Sequence, residues 1–296
     1  MILITGATGQ FGRATIDFLL KNNIPANNIA AMVRDSSKAE DLKNKGIDIR
    51  VGDYDNYTGM VSVFKGIDKL LLISSNDMVK RGKHQANAVN AAKEAGVKHI
   101  TFTSFERKNE TESSPIFMLA SAYIETENLI KRIGLTYTIM RNTLYADVLP
   151  MFLGEKVFET GIFLPAGDGR AAFTTRLNMA EATATILTSD GHENKEYVIA
   201  NESNYSFNEV AGILSALSGK DIQYTDPAPE VFKDALSKAG VPMEYVVMIA
   251  AFNEAIKQGE FSTTGTDLGK LLGRKPTSLK EYLKSVYADK STNPHI

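Results

Sequence analysis

The chain contains no cysteine, which excludes a disulfide framework, a thiol nucleophile and a Cys-ligated zinc or iron–sulfur centre. Nor is there a basic excess: 33 Lys and Arg stand against 35 Asp and Glu, a net charge of −2. Nucleic-acid binding needs cations to neutralise phosphates, so no nucleic-acid partner is expected. No apolar run reaches 18 residues, and Met1-Ile-Leu-Ile-Thr5 has no basic segment before it. Membrane spanning and secretion are therefore not expected, and the cytoplasm is the expected location. The four histidines (His84, His99, His192 and His295) show no H-x-x-x-H spacing, and neither a G-x-S-x-G elbow nor a P-loop occurs. A metal site is not expected, and His84, at the start of a helix, reads as a surface or capping residue.

What is present is alternation. Short β-rich runs at 1–5, 29–33, 47–51, 69–74, 99–103 and 136–141 alternate with helical patterns at 12–22, 85–95 and 122–133. Runs such as Leu70-Leu-Leu-Ile73 are apolar throughout, as strands covered on both faces must be, which predicts a parallel sheet with crossover helices. After residue 148 the pattern changes. Residues 161–174 read as a hairpin about Gly167-Asp-Gly169, and 196–200 as a strand. A capping box, Ser206-Phe-Asn-Glu209, opens one helix, Pro242 another ending at Gly259, and Ser278-Leu-Lys-Glu281 the last. The predicted fold is α/β, a Rossmann-type doubly wound parallel sheet with a smaller α/β C-terminal substrate domain. Its nucleotide domain spans 1–147, with a strand and helix returning from later sequence, and the substrate-binding part spans 148–296.

The stretch Gly6-Ala-Thr-Gly9-Gln-Phe-Gly12 follows the first strand and opens a helix. Gly6 permits the sharp turn, Gly9 lets backbone approach a pyrophosphate, and Gly12 lets the helix pack close. The free amides and dipole of the helix N-terminus complete a dinucleotide site. An NAD-preferring site places Asp or Glu at the end of the second strand; here Arg34 and Lys38 stand there, with Asp35 between them. Two cations suit the 2′-phosphate of NADPH over NADH. Asp53 stands open between meeting the adenine edge and capping the next helix. Ser74, Ser75 and Asn76 end the fourth strand, either as a cofactor ribose wall or as a plain strand-end loop. The Tyr-x-x-x-Lys pair of many carbonyl reductases is missing: the best-placed tyrosine gives Tyr123-Ile-Glu-Thr-Glu127. A carboxylate there would raise a neighbouring tyrosine's pKa rather than lower it, so no catalytic acid or base is assigned.

Thr5-Gly-Ala-Thr-Gly-Gln-Phe-Gly12, Gly52-Asp-Tyr-Asp55, Ala95-Gly-Val-Lys-His-Ile100 and Tyr137-Thr-Ile-Met-Arg-Asn142 resemble the NmrA-like atypical short-chain dehydrogenases. Gly167-Asp-Gly169 and Gly191-His-Glu-Asn-Lys-Glu-Tyr197 narrow the resemblance to the NAD(P)H:quinone oxidoreductase type 2 and triphenylmethane reductase branch. The likeness runs to about Tyr287. It implies an NADPH-dependent, flavin-free reductase of quinones or cationic dyes, the expected substrate being a small planar aromatic or quinone; the chain itself is expected as a homodimer or a monomer. By the same resemblance Gly6, Thr8, Gly9, Gln10, Phe11 and Gly12 line the pyrophosphate, and Arg34 the 2′-phosphate. Asn142 and Tyr145 border nicotinamide and substrate, and Glu127 is the carboxylate this branch carries in place of the usual lysine. Such acceptors take hydride without a strong acid, so positioning is the main task. Phe105, Tyr145 and Phe152 are candidate aromatic walls, with ordinary packing the alternative, favoured for Phe152. Residues 106–114 read as a mobile polar loop. The same family also implies an alternative, a dinucleotide-binding redox sensor that regulates a partner without turnover.

Overall fold

A computed structural model of the chain describes residues 1–292; His295 lies outside the described residues. Seven strands form one sheet: β1 Ile2–Ile4, β2 Ile29–Val33, β3 Asp48–Val51, β4 Lys69–Leu72, β5 His99–Phe105, β6 Thr136–Asn142 and a seventh, Lys195–Ile199. Their order is β3-β2-β1-β4-β5-β6-seventh, and every neighbouring pair is parallel. β1 pairs β2 on one side and β4 on the other. Consecutive connections therefore leave β1 in opposite directions, and a crevice opens above its carboxyl end.

Alternate residues of β1 feed two apolar layers. Ile4, Ala31, Val33 and Leu71 face α1 (Gln10–Lys21) and the helix Arg176–Thr188. Leu3, Leu70, Leu72 and Phe102 pack with residues of the helices Tyr57–Phe64, Arg81–Glu94 and Phe117–Arg132. The helix Arg176–Thr188 and the seventh strand thus return from late sequence to complete the sheet layers. That helix carries Met179, Ala180, Ala182, Ala184, Ile186 and Leu187, all buried, and its small residues let it pack against α1. A third apolar cluster gathers Leu149, Leu153, Phe173, Phe207, Val210, Leu214, Ile256 and Phe261 beyond the carboxyl edge.

Local signals set several boundaries. Ser206 and Glu209 cap the helix Phe207–Ser218 reciprocally, and Gly219 closes it in the left-handed region. Ser278 and Glu281 exchange the same bonds. The helices expected at 85–95 and 122–133 begin earlier, at Arg81 and Phe117; the first turn of the former, Arg81-Gly-Lys-His84, carries no apolar residue.

Residues 161–174 do not form a hairpin. Ile162–Phe163 pairs in parallel with Tyr224–Thr225, and Arg170–Ala171 pairs antiparallel with Tyr205–Ser206. Each arm is satisfied by another partner, and the turn itself comes close to a helix at Gly169, where an added Cβ would sit 2.2 Å from the Ile256 carbonyl oxygen. The turn is pressed against the helix Met243–Lys257, and its two arms are drawn to different partners. Residues 106–114 are anchored at both ends: Lys108 Nζ donates to Ser262 Oγ at 2.8 Å and Ser114 Oγ to Glu260 Oε1 at 2.7 Å.

Candidate cofactor and acceptor cleft

The turn after β1 is fixed to β4 through Thr5, whose Oγ1 accepts from Ile73 N at 2.9 Å and donates to Leu71 O at 3.2 Å. Gly6 then takes φ +57°, a conformation that disfavours side chains. At Gly12 a Cβ would stand 2.6 Å from Gly6 O and 2.8 Å from Ala7 Cα, so helix and turn meet backbone to backbone. Gly9 differs. Its φ of −77° and ψ of 163° suit any residue, and a Cβ there would meet only Gly6 O at 3.2 Å. The fold therefore requires Gly6 and Gly12, whereas bare backbone at Gly9 serves whatever lies against it. Gly9 also caps α1 without a side-chain hydrogen bond, which leaves first-turn amides free for an anion.

A cleft of about 550 Å³ opens from this turn. Gly6, Gly9, Gln10, Phe11, Gly12, Ser74, Ser75, Asn76, Phe105, Asn142 and Tyr145 all line it, as does Phe152. Thr8, Arg34 and Lys38 do not. Thr8 stays in the turn, its carbonyl accepting from Arg13 Nε at 3.1 Å. The Lys38 carbonyl accepts from Arg13 Nη2 at 2.8 Å, with the residue itself exposed. Arg34 is exposed at the end of β2, and its guanidinium makes no ion pair among the described residues. Asp35 is turned into its own helix cap, where Oδ1 accepts from Ser37 N at 3.0 Å and Ser37 Oγ at 2.6 Å. Ser37 thereby holds this carboxyl below the ordinary range. Asp53 does not cap the following helix. Asn56 does, accepting from Gly59 N at 3.0 Å, while Asp53 Oδ1 accepts from Asp55 N at 2.9 Å.

Past β4, Ser74 N donates to Thr103 Oγ1 at 2.9 Å and its hydroxyl accepts from Tyr123 at 3.4 Å. His84 is not a surface residue. It is buried, with Nδ1 2.9 Å from Ser75 Oγ and Nε2 3.4 Å from Asp55 Oδ1. Its ring stacks on Tyr54 at 5.7 Å, so His84 braces the Ser75 wall from behind.

The other end of the cleft is assembled from distant segments. Phe105 closes β5 and meets Phe261 edge to face at 5.5 Å, Phe252 at 6.2 Å and Tyr123 at 5.7 Å. Tyr145 is pinned by the Ala146 N bond to Thr174 O at 2.9 Å, and the Arg176 guanidinium lies 5.0 Å over its ring. Burial, with Tyr123 nearby, pushes its phenol up to about 12, so it stays protonated across the neutral range. Asn142 is 2% exposed and lies beside Tyr145, yet neither its Oδ1 nor its Nδ2 makes a hydrogen bond of normal geometry among the described residues. A buried carboxamide is costly unpaired, and this one faces the cleft.

Sequence reasoning missed Arg81 and Arg176, both lining the cleft. Arg81 Nε donates to Ser75 O at 2.7 Å and its guanidinium lies 5.1 Å from the Tyr123 ring centre. Their only local signal was an arginine in the first turn of a helix. Glu127 is also not set against a tyrosine. Its carboxylate is clamped by Arg107 at 2.9 and 3.0 Å and by Arg141 at 2.8 Å, and it accepts from Ser104. Burial opposes its charge, but these donors prevail and its carboxyl titrates below the usual range. Arg107 also donates to Phe105 O at 2.7 Å, so the cluster is the footing of the aromatic wall.

The model of the NmrA-like family matches residues 1–283. The structure of a Citrobacter sp. triphenylmethane reductase superposes with a TM-score of 0.89 at 40% identity, over 96% of this chain and 98% of that one. The Escherichia coli NADPH-dependent quinone oxidoreductase complexed with NADPH gives 0.89 at 36% identity, over 97% and 100%. An NAD(P)H azoreductase of Xenophilus azovorans is 27% identical, over 96% of this chain and 97% of its own. A parallel sheet switching direction at β1, a glycine turn above it and full-length matches to reductases agree: the chain is a reductase and belongs to the NmrA-like family.

Proposed function

We propose that this protein reduces quinones or cationic dye-like acceptors by direct hydride transfer from NADPH, without flavin or metal. One observation carries the reading: the same cleft is lined by the glycine turn and by a half-buried aromatic end with Asn142, whose carboxamide makes no hydrogen bond of normal geometry among the described residues. The residues fit the cofactor, since the Gly9 backbone is bare without need of the fold and the α1 amides are free.

NADPH, when bound, supplies two electrons and a proton as hydride. Gly6, Thr8, Gly9, Gln10, Phe11 and Gly12 hold the pyrophosphate, and Ser74, Ser75 and Asn76 wall a ribose. Arg34 receives the 2′-phosphate, with Lys38 as a second cation, and Asp35 is withdrawn from that phosphate by Ser37. Asn142 presents an amide donor and acceptor to a carboxamide or a carbonyl. Phe105 and Tyr145 form flat walls that orient a planar acceptor and exclude water. A quinone that gains hydride becomes a hydroquinone anion and takes its proton from solvent. A triarylmethyl cation becomes neutral and needs none. Neither demands a strong acid from the protein, in keeping with a Tyr145 phenol near 12 and a Glu127 committed to arginines.

The test is NADPH oxidation with 1,4-benzoquinone as acceptor, in the wild type and in Tyr145→Ala. The wild type turns over. The variant loses at least tenfold in kcat/KM while its NADPH affinity, titrated separately, changes less than threefold. NADPH binding with no turnover on any quinone or dye refutes the reading and leaves a sensor.

A further inference from the structure

We infer that the mouth of this cleft seats the apolar chain of a lipophilic acceptor, a deepening that rests on the quinone reading. The cleft's apolar wall does not stop at a polar rim. Met78 and Met151 line it and are also exposed. Beyond them Val79 is 95% exposed and Met118 94%, the two most exposed large apolar side chains among the described residues. Each adjoins a lining residue in sequence, Val79 following Met78 and Met118 preceding Leu119. The helix that follows Val79 and the helix that carries Met118 approach each other near this rim, a Cβ at Gly82 lying 3.9 Å from that of Ala122, one turn beyond Met118.

The display is built rather than loose. Asp77 Oδ1 accepts from Val79 N at 3.0 Å and Lys80 N at 2.8 Å, a capping turn that fixes Val79 outward. The neighbouring cations are drawn away, Lys80 at 2.9 Å and Lys83 at 3.4 Å from Asp55. What remains at the cleft's rim, about Met78 and Met151, is an apolar lip beside which the Asp77 carboxylate is turned to backbone amides. Exposed apolar surface of this kind marks a binding groove, and flexible methionines adapt to chains of varied shape. The occupant is part of the substrate, because a second protein copy seated on the lip would bar the mouth through which the acceptor must enter.

The experiment compares 1,4-benzoquinone with analogues carrying one and two prenyl branches, in the wild type and in the Val79→Ser, Met118→Gln double variant. Burying one methylene is worth about fourfold in binding. In the wild type kcat/KM therefore rises at least tenfold from no branch to two. The double variant loses most of that rise while reducing unbranched benzoquinone at the wild-type rate. No rise in the wild type, or an equal rise in both proteins, overturns the inference alone. Reduction of none of the three quinones removes the quinone reading and this inference together. Two further outcomes also overturn it: phosphatidylcholine vesicles that sediment the wild type but not the variant, without a branch effect, or a wild-type dimer that the variant dissolves.

Discussion

At the β1 end of the cleft, the wall is largely backbone: a turn of seven residues, Gly6 to Gly12, whose shape follows from local sterics. At the aromatic end it is made of side chains, supplied by segments as far apart as Phe105, Tyr145 and Phe252. The first end tolerates almost no change in bulk, because backbone lies against backbone. The second depends on packing and on a buried ion cluster beneath it, and its chemistry can be varied one side chain at a time. Relatives whose names pair a nicotinamide cofactor with quinones, triphenylmethane dyes or azo compounds fit that division.

The largest effect that tests this contrast belongs to Gly12→Val. With a Cβ only 2.6 Å from Gly6 O, α1 must move, and NADPH affinity falls beyond detection in a fluorescence titration. Gly9→Ala, which meets only a 3.2 Å contact, melts within a few degrees of the wild type yet still loses cofactor. Equal stability losses in the two variants would dissolve the distinction between glycines the fold requires and a glycine that serves the ligand.

Next in size is Glu127→Gln, which leaves Arg107 and Arg141 short of their shared counter-charge. Breaking a buried pair costs about 3 kcal/mol, and chemical denaturation should register it. The Glu127 carboxyl titrates lower in the folded chain than its ordinary 4.5. Its stabilisation is complete above that value and is lost as pH falls through the folded value. The wild type and variant therefore differ most above pH 4.5 and converge as pH falls below it through the folded value. A gap that is constant with pH would mean the carboxylate is not the source.

The smallest effect is Arg34→Ala. Loss of one exposed charge-assisted contact costs about 1.5 kcal/mol, roughly tenfold in NADPH affinity, with NADH changed less than twofold. Parallel losses for both nucleotides would displace Arg34 from the 2′-phosphate.

The two ends also differ in how readable they were. The glycine turn is local, so spacing after a strand announced it. Among the early strands β1, β2 and β4 were legible because doubly covered strands are apolar throughout, whereas β3 lies at the sheet edge with no buried residue. The acceptor end was legible only in part. Arg81, Tyr123 and Arg176 reach it from helices whose first turns look like any other, and His84 looked like a surface residue because its partners Ser75 and Asp55 are brought to it by separate strands. The helix Arg176–Thr188 has no apolar stripe because it is buried nearly all round. The hairpin expectation failed for a reason outside the segment, the distant strands at 205–206 and 224–225 that pair with its two arms.

The placement of that late helix bears on how the protein is made. α1 leaves the ribosome long before the helix Arg176–Thr188, yet Phe11, Ile16 and Leu19 share their apolar layer with Met179, Ala180 and Ala182. Until residue 188 has emerged, α1 carries an uncovered greasy flank. A fragment cut at 147 would keep that flank for good, so the reductase matures only when its middle folds back onto its beginning.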